Sequence, residues 1–271
     1  MERLELPKTY FSIQDTIECG QVFRYKKIDD KYMIISGGEI ALLSDDVAIC
    51  SSKEYFYNYF DFQRDYESIY LSAKEFNIPF LTTSADIGKG IRLLNQDLYE
   101  CLLSFMVSQN NNIPRIQKII ENLCLNYGEK KKFLDIEYYS FPSAKNLEKV
   151  TIEEYKSLGL GYRAEYIYLF VKSINDGLNL EQVKMLDYES AKEFLLKIKG
   201  IGEKVANCVL LFGLKHTKSF PVDTWIEKVY AQNFDGKEKD RKKITKYFID
   251  LFKENAGFYQ QYMFHYKRNK E

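Results

Sequence analysis

The sequence predicts an α+β fold, with a small N-terminal antiparallel β-sheet domain over residues 1–88 and a mostly α-helical body over residues 89–271. Three observations lead there. Residues 21–50 hold short runs of strand composition separated by turn residues; beyond about residue 52 the apolar spacing changes to helical period; and short loops join the later segments without a repeat or low-complexity linker. The runs are Gln21-Val-Phe-Arg-Tyr, Lys31-Tyr-Met-Ile-Ile, Glu39-Ile-Ala-Leu-Leu and Asp46-Val-Ala-Ile-Cys. Asp29-Asp30, Gly37-Gly38 and Ser44-Asp45 fall between them as turns, and the Gly37-Gly38 link suits a two-residue hairpin because both residues accept positive φ. An antiparallel meander is expected.

In the body, Leu98 to Ser108 reads as a buried helix and Ile113 to Leu125 as an amphipathic one. Ser190 to Ile198 reads as another, ending at Lys199-Gly200. Glu203 to Phe212, Thr224 to Tyr230, Arg241 to Lys253 and Tyr259 to Lys267 follow as helices.

Hydrophobic residues at 45% and charged residues at 29% give a globular balance, so a packed core is expected rather than a disordered chain. There is no run of about 18 apolar residues to suggest a membrane span. The opening MERLELPKTYF lacks the basic-then-apolar layout of a secretory signal, and a cytoplasmic protein is expected. The cysteines at 19, 50, 101, 124 and 208 are odd in number and widely spaced, which argues against a disulfide scaffold. With no clustered Cys-x2-Cys and only His216 and His265, neither a metal site nor a cofactor is expected. Lys+Arg and Asp+Glu are both 39, which argues against a protein that coats nucleic acid by bulk charge but leaves room for a local contact.

The chemistry concentrates in Glu193-Phe-Leu-Leu-Lys-Ile-Lys-Gly-Ile-Gly-Glu-Lys-Val-Ala-Asn-Cys, which reads as helix, Gly-x-Gly hairpin, helix. Gly200 and Gly202 permit a tight turn whose amides point outward at a helix start, where they can hold a phosphate oxygen without a basic side chain. An ordinary helix–turn–helix corner has the same short signature. Lys204 falls in the first turn of the second helix, where the helix dipole disfavours the ammonium form and partial desolvation would free the amine as a nucleophile, while a Cys208 thiolate would stabilise the ammonium instead; read in isolation it is a solvated surface lysine. Cys208 lies one turn on, on the same face. Phe220-Pro221-Val222-Asp223 then closes a loop. Asp223 suits an N-cap, but Thr224-x-x-Glu227 offers a capping box of its own, which would leave the Asp223 carboxylate to support positive charge or relay protons beside Lys204.

With Lys199-Gly-Ile-Gly-Glu-Lys-Val-Ala-Asn-Cys and Pro221-Val-Asp-Thr in view, the chain resembles the helix–hairpin–helix DNA glycosylase superfamily, and within it the 8-oxoguanine DNA glycosylases. Four further segments carry the resemblance. Cys19-Gly-Gln-Val-Phe-Arg-Tyr is similar to the family's Ser-Gly-Gln-Ser-Phe-Arg-Trp, which assigns to Gly20 the carbonyl that accepts the N7–H of 8-oxoguanine. Ser104-Phe-Met-Val-Ser-Gln-Asn-Asn-Asn-Ile-Pro-Arg-Ile resembles Ser-Phe-Ile-Cys-Ser-Ser-Asn-Asn-Asn-Ile-Ala-Arg-Ile. Its first asparagine, Asn110, would fill the gap left by the extruded base, and Arg115 would read the orphaned cytosine. Leu158-Gly-Leu-Gly-Tyr-Arg-Ala-Glu-Tyr resembles a segment whose tyrosine wedges the stack and whose arginine also reads that cytosine; these are Tyr162 and Arg163. Ala256-Gly-Phe-Tyr-Gln-Gln-Tyr-Met-Phe resembles Ala-Gly-Trp-Ala-Gln-Ala-Val-Leu-Phe and assigns base contacts to Gln260 and Phe264, with Cys208 and Pro221 as further pocket walls.

The resemblance implies a bifunctional glycosylase and lyase of base excision repair, acting as a monomer on double-stranded DNA with 8-oxoguanine opposite cytosine. Lys204 and Asp223 would be its catalytic residues, and the Gly200–Gly202 hairpin its phosphate anchor. Departures from the family pattern are Trp225 for a histidine, Tyr25 for a tryptophan, Gln109 for a serine and Asn207 for an aspartate. Two other readings share parts of the pattern. A monofunctional alkyl-purine glycosylase needs the Asp but no lysine, and a non-catalytic DNA-binding scaffold needs the hairpin but no base pocket.

Overall fold

The structure, a computed structural model, describes residues 1–270. Its first part is a five-stranded antiparallel sheet with strands β1 (Glu2–Glu5), β2 (Tyr25–Ile28), β3 (Lys31–Ser36), β4 (Glu39–Ser44) and β5 (Val47–Cys50) in the order β1-β5-β4-β3-β2. The predicted meander forms β2 to β5. Ser36 pairs with Glu39 across the Gly37-Gly38 link, and both glycines have positive φ, 56° and 78°. Strand β1, which the sequence reading did not anticipate, pairs with β5 and buries Leu4.

One predicted strand is displaced. The ladder begins at Tyr25, while Gln21 to Arg24 follow a short helix α1 (Ile13–Glu18) through the turn at Gly20. The reason lies in the Gln21 side chain. Its buried amide donates to the carbonyls of Thr16 (2.9 Å) and Arg92 (2.8 Å) and accepts from the amide of Leu94 (2.9 Å). The segment is therefore held by side-chain bonds to the body instead of by strand pairing.

After the sheet come α2 (Lys53–Tyr59), α3 (Tyr66–Glu75) and α4 (Pro79–Gly88); α5 (Leu98–Ser108) and α6 (Ile113–Tyr127) follow, then a hairpin of β6 (Lys130–Phe133) and β7 (Ile136–Tyr139). After it come α7 (Ile152–Tyr155), a π-helical turn over Lys156–Leu160, α8 (Arg163–Asn175), α9 (Leu180–Lys184), α10 (Tyr188–Lys197) and α11 (Glu203–Phe212). Helices α12 (Thr224–Asn233), α13 (Arg241–Phe252) and α14 (Ala256–Lys270) complete the fold. The helices expected from apolar periodicity are all present, with ends shifted by a few residues.

Helix α5 is apolar nearly all round and packs against α6, α8 and α11, as a central helix must. Helix α14 packs along α4 and α12 and carries a buried stripe from Ala256 to Tyr266. No helix among the described residues is long and apolar enough to cross a membrane. The active side of the molecule lies where α5, α11, α12 and α14 converge with the turn after α1.

Because Gln21 is the link between that turn and the body, Gln21→Leu leaves the Arg92 carbonyl and Leu94 amide without this partner. We expect it to lower unfolding free energy by about 2–4 kcal/mol, read from urea denaturation; a change within the error of the extrapolation would contradict this account of the turn.

Candidate active site

Helices α10 and α11 form the predicted hairpin. Gly200 takes φ +90°, and a Cβ there would lie 2.4 Å from Cγ of Tyr166 on α8, so the turn requires glycine for both backbone shape and close packing. Gly202 is the N-cap of α11, supplies no side-chain cap, and faces open space. The first amides of α11 are thus presented outward without a capping side chain. Three ion pairs brace the corner: Lys199 with Glu165 (2.6 Å), and Glu203 with Lys192 (3.0 Å) and with Lys242 (3.3 Å).

A cavity of about 320 Å³ lies behind the hairpin, lined by Gly20, Phe105, Lys204, Cys208, Phe212, Pro221, Asp223, Gln260, Gln261 and Phe264. Every residue that the sequence reading assigned to catalysis or to the base pocket lines it, although they span positions 20 to 264. A larger hollow of about 840 Å³ lies between β2, β3, α6 and β7 and contains none of them.

Lys204 reaches into the cavity over Phe105, with Nζ 5.4 Å from the ring centroid. Burial pushes the Cys208 thiol above its ordinary range, an effect only partly opposed by Lys204, so the thiol faces the amine in its neutral form. Asp223 is the N-cap of α12, and its Oδ1 accepts from the amides of Trp225 and Ile226, both at 3.0 Å. The expectation that a Thr224–Glu227 capping box would relieve Asp223 of this work is therefore corrected. Glu227 instead pairs with Arg241 through two bonds of 2.8 and 2.7 Å. Burial raises the Asp223 carboxyl, against the pull of those amides and of Lys204.

The opposite walls come from α14 and the turn after α1. Gln260 is buried and donates Nε2 to the Pro221 carbonyl at 3.2 Å. Phe264 lies against Gly20, where a Cβ would meet its ring at 3.5 Å and Nη1 of Arg268 at 3.2 Å. Arg268 sits over Phe264, 5.4 Å from the centroid, and donates Nη2 to the Glu18 carbonyl at 2.5 Å, which ties α14 to the turn carrying Gly20.

A second group gathers around the loop between α5 and α6. Asn110 is exposed, has φ +45°, and donates to the Tyr162 hydroxyl at 3.3 Å. Asn112 caps α6 and Asn111 donates to the Val107 carbonyl, whereas Asn110 reaches across to another loop. Arg115 is exposed and touches the Gly159 carbonyl at 3.5 Å. Arg163 is turned inward: it is buried beneath Tyr162, bonds the carbonyls of Gln109, Asn110 (3.0 Å) and Leu160 (3.3 Å), and supports the loop from below.

Phe105, Phe212 and Gln261 were missed in the sequence reading. Phe212 was accessible there, because Lys204, Cys208 and Phe212 repeat at one-turn spacing on a single helix face. Gln261 gave no signal apart from adjacency to Gln260, and Phe105 none apart from its place in the segment that begins at Ser104. Asn207, one of the departures, points away from the cavity and joins Tyr188, Glu203 and Ser219 in a buried network.

Comparison with known proteins agrees with this geometry. Residues 3–102 match the family described as 8-oxoguanine DNA glycosylase, N-terminal domain, and residues 103–254 match the HhH-GPD superfamily of base excision DNA repair proteins. The chain is similar to the Clostridium acetobutylicum 8-oxoguanine glycosylase/lyase solved in complex with dsDNA containing cytosine opposite 8-oxoG, with a TM-score of 0.91 and 35% identity over 97% of this chain and 93% of that one. It is 31% identical to the N-glycosylase/DNA lyase OGG1 of Arabidopsis thaliana over 96% of this chain and 78% of that protein. It is also 35% identical to the N-glycosylase/DNA lyase of Saccharomyces cerevisiae, over 54% of this chain and 42% of that protein. The chain belongs to the 8-oxoguanine DNA glycosylase family of the HhH-GPD superfamily.

The capping role of Asp223 separates its structural and electrostatic contributions. Since burial raises the folded carboxyl above 3.8, folding favours the neutral form, and that stabilisation is complete below pH 3.8 and lost as pH rises through the folded value. Asn is as good an N-cap as Asp. Asp223→Asn should therefore melt at or above the wild-type temperature at pH 7, with the gap closing as pH falls toward 3.8. A lower melting temperature at pH 7 would refute this.

Proposed function

We propose that Lys204 is the nucleophile of base excision, supported by Asp223, with Gly20, Cys208, Pro221, Gln260 and Phe264 forming the base pocket. The enzyme is a bifunctional 8-oxoguanine DNA glycosylase and AP lyase. The observation that carries the assignment is that one cavity collects an amine at a helix N-terminus, a carboxylate capping a second helix, and walls from Gly20, Cys208, Pro221, Gln260 and Phe264.

Chemistry on a base inside a duplex requires the nucleotide to be turned out, at a cost of a few kcal/mol. Asn110 and Tyr162, exposed on two separate loops and already bonded to each other, fill and wedge the vacancy. The uncapped amides at Gly202 and the start of α11 hold a backbone phosphate, with Gly200 shaping the turn. Lys204 Nζ then attacks C1′, the C1′–N9 bond breaks, and the base departs with its electron pair and a proton. The opened sugar is held as a Schiff base on Lys204. Loss of a C2′ proton expels the 3′ phosphate, which makes the same amine responsible for strand cleavage. Asp223 supports the developing charge on the sugar and takes part in the later proton transfers.

Arg115, exposed beside Asn110, reads the orphaned cytosine directly. Arg163 joins it by exchanging its bonds to the Gln109 and Asn110 carbonyls for the base edge. The enzyme works as a monomer, a reading supported by a cavity built from one chain, and acts on DNA in the cytoplasm.

Borohydride should trap a covalent complex with duplex DNA containing 8-oxoguanine, and Lys204→Gln should abolish it; trapping that persists in the variant means another amine is the nucleophile. In single-turnover incision against the four opposite bases, cytosine should be preferred, and Arg115→Ala should reduce the preference by roughly ten-fold, the worth of one good base contact. Equal rates against all four bases in the wild type would rule out the proposed role for Arg115.

A further inference from the structure

Gln261 lines the base cavity and is almost fully buried, yet the family segment that this part of α14 resembles has alanine at the corresponding place. Its orientation follows from a chain of bonds. The Pro221 carbonyl can only accept, so Gln260 must present Nε2 to it, at 3.2 Å. That turns Gln260 Oε1 toward Gln261, which must donate its own Nε2, at 2.8 Å. Gln261 Oε1 is left as a buried acceptor with no donor. A buried acceptor without a partner is unfavourable, and one that lines a ligand cavity is satisfied when a ligand brings an N–H to it.

We propose that Gln261 is a specificity-determining residue whose Oε1 accepts a hydrogen bond from the exocyclic 2-amino group of the extruded base. The proposal rests on the reading of this cavity as the 8-oxoguanine pocket. The base has three kinds of N–H: N7–H faces the Gly20 side, while N1–H and the 2-amino group share the Watson–Crick edge. Gln260 has one amide hydrogen and one carbonyl lone pair left after its bonds to Pro221 and Gln261, enough for O6 and N1–H. The 2-amino group is then the remaining donor on that edge, and Gln261 Oε1 is a buried acceptor beside Gln260 that no protein group satisfies. Together the two glutamines match an acceptor–donor–donor edge and reject a purine that lacks the 2-amino group.

The test compares duplexes carrying 8-oxoguanine or 8-oxohypoxanthine opposite cytosine, with the purified full chain. Hypoxanthine differs at this edge only by loss of the 2-amino group. Wild type should favour 8-oxoguanine in kcat/KM by roughly ten-fold or more, as expected when one buried acceptor goes unpaired. Gln261→Ala, a residue the related segment already carries, should lose that ratio chiefly by slowing excision of 8-oxoguanine. Should Gln261→Ala melt too low to assay, Gln261→Met keeps the side-chain length without the acceptor and serves for the same comparison. Equal rates on the two bases in wild type overturn the proposal, as does a ratio that survives either substitution, which would mean that Gln261 merely steadies Gln260. Failure of the wild type to excise 8-oxoguanine at all would instead overturn the reading of the pocket on which this inference rests.

Discussion

Asp223 Oδ1 accepts the amides of Trp225 and Ile226, and this pair of bonds decides where the rest of the carboxylate can go. A side chain used as an N-cap loses most of its rotamer freedom, since its oxygen must stay over the first turn of the helix. In this molecule that restraint places a negative group on the wall of a cavity whose other side holds Lys204, at the start of a second helix. Both helix starts carry positive potential. Two amide-rich helix ends and an amine converge here, and one residue both caps α12 and faces Lys204.

Position alone would be of little use if the loop before Asp223 could drift. It is held on several sides. The Ser219 hydroxyl bonds both the backbone and side-chain oxygens of Asn207 on α11 (2.9 and 3.0 Å), Thr245 on α13 donates to the Phe220 carbonyl (3.2 Å), and the amide of Gly257 on α14 reaches the Thr217 carbonyl (2.7 Å). Phe220 itself is fully buried and stacks on Phe248, with centroids 4.3 Å apart. Asn207 is thereby explained as a structural residue: it ties the lysine helix to the carboxylate loop, and its amide satisfies donors and acceptors that an aspartate could only accept. A site whose supporting residues are fixed in this way keeps reacting groups in register without reorganising during the reaction.

How much of this was legible in the sequence depended on how local the cause was. The meander from Tyr25 to Cys50 is set by strand composition and the Gly37-Gly38 turn, which neighbouring residues carry by themselves. Gln21 to Arg24 has the same composition but is held by bonds from Gln21 to Thr16, Arg92 and Leu94, two of them more than 70 positions away. The β6–β7 hairpin was invisible for a similar reason. Lys130-Lys131-Lys132 resembles solvated surface, yet Phe133 and Tyr138 pack with Met33 and Ile40, and Lys131 bonds the Gly38 carbonyl. Likewise, Thr224-x-x-Glu227 has the spacing of a capping box, but Arg241, fourteen residues on, takes Glu227 away. The pocket residues could be named from residue type and motif; that Gln261 leaves an acceptor open among them required the Pro221 carbonyl, which orients the glutamine pair from another element.

A net charge of zero is compatible with a grip on DNA because the hairpin corner does not work by excess charge. Glu203, in the first turn of α11, suits the helix dipole but would repel a phosphate arriving at the neighbouring amides. Lys192 and Lys242 both pair with it and cancel its charge, so it does not oppose the outward amides. Amides at a helix start bind one oxygen at a set distance and direction, whereas scattered lysines attract any backbone within a Debye length. For an enzyme that must stop where a single nucleotide can be turned out, a directional anchor is the more useful of the two, since it fixes the phosphate relative to Lys204 as well as holding it.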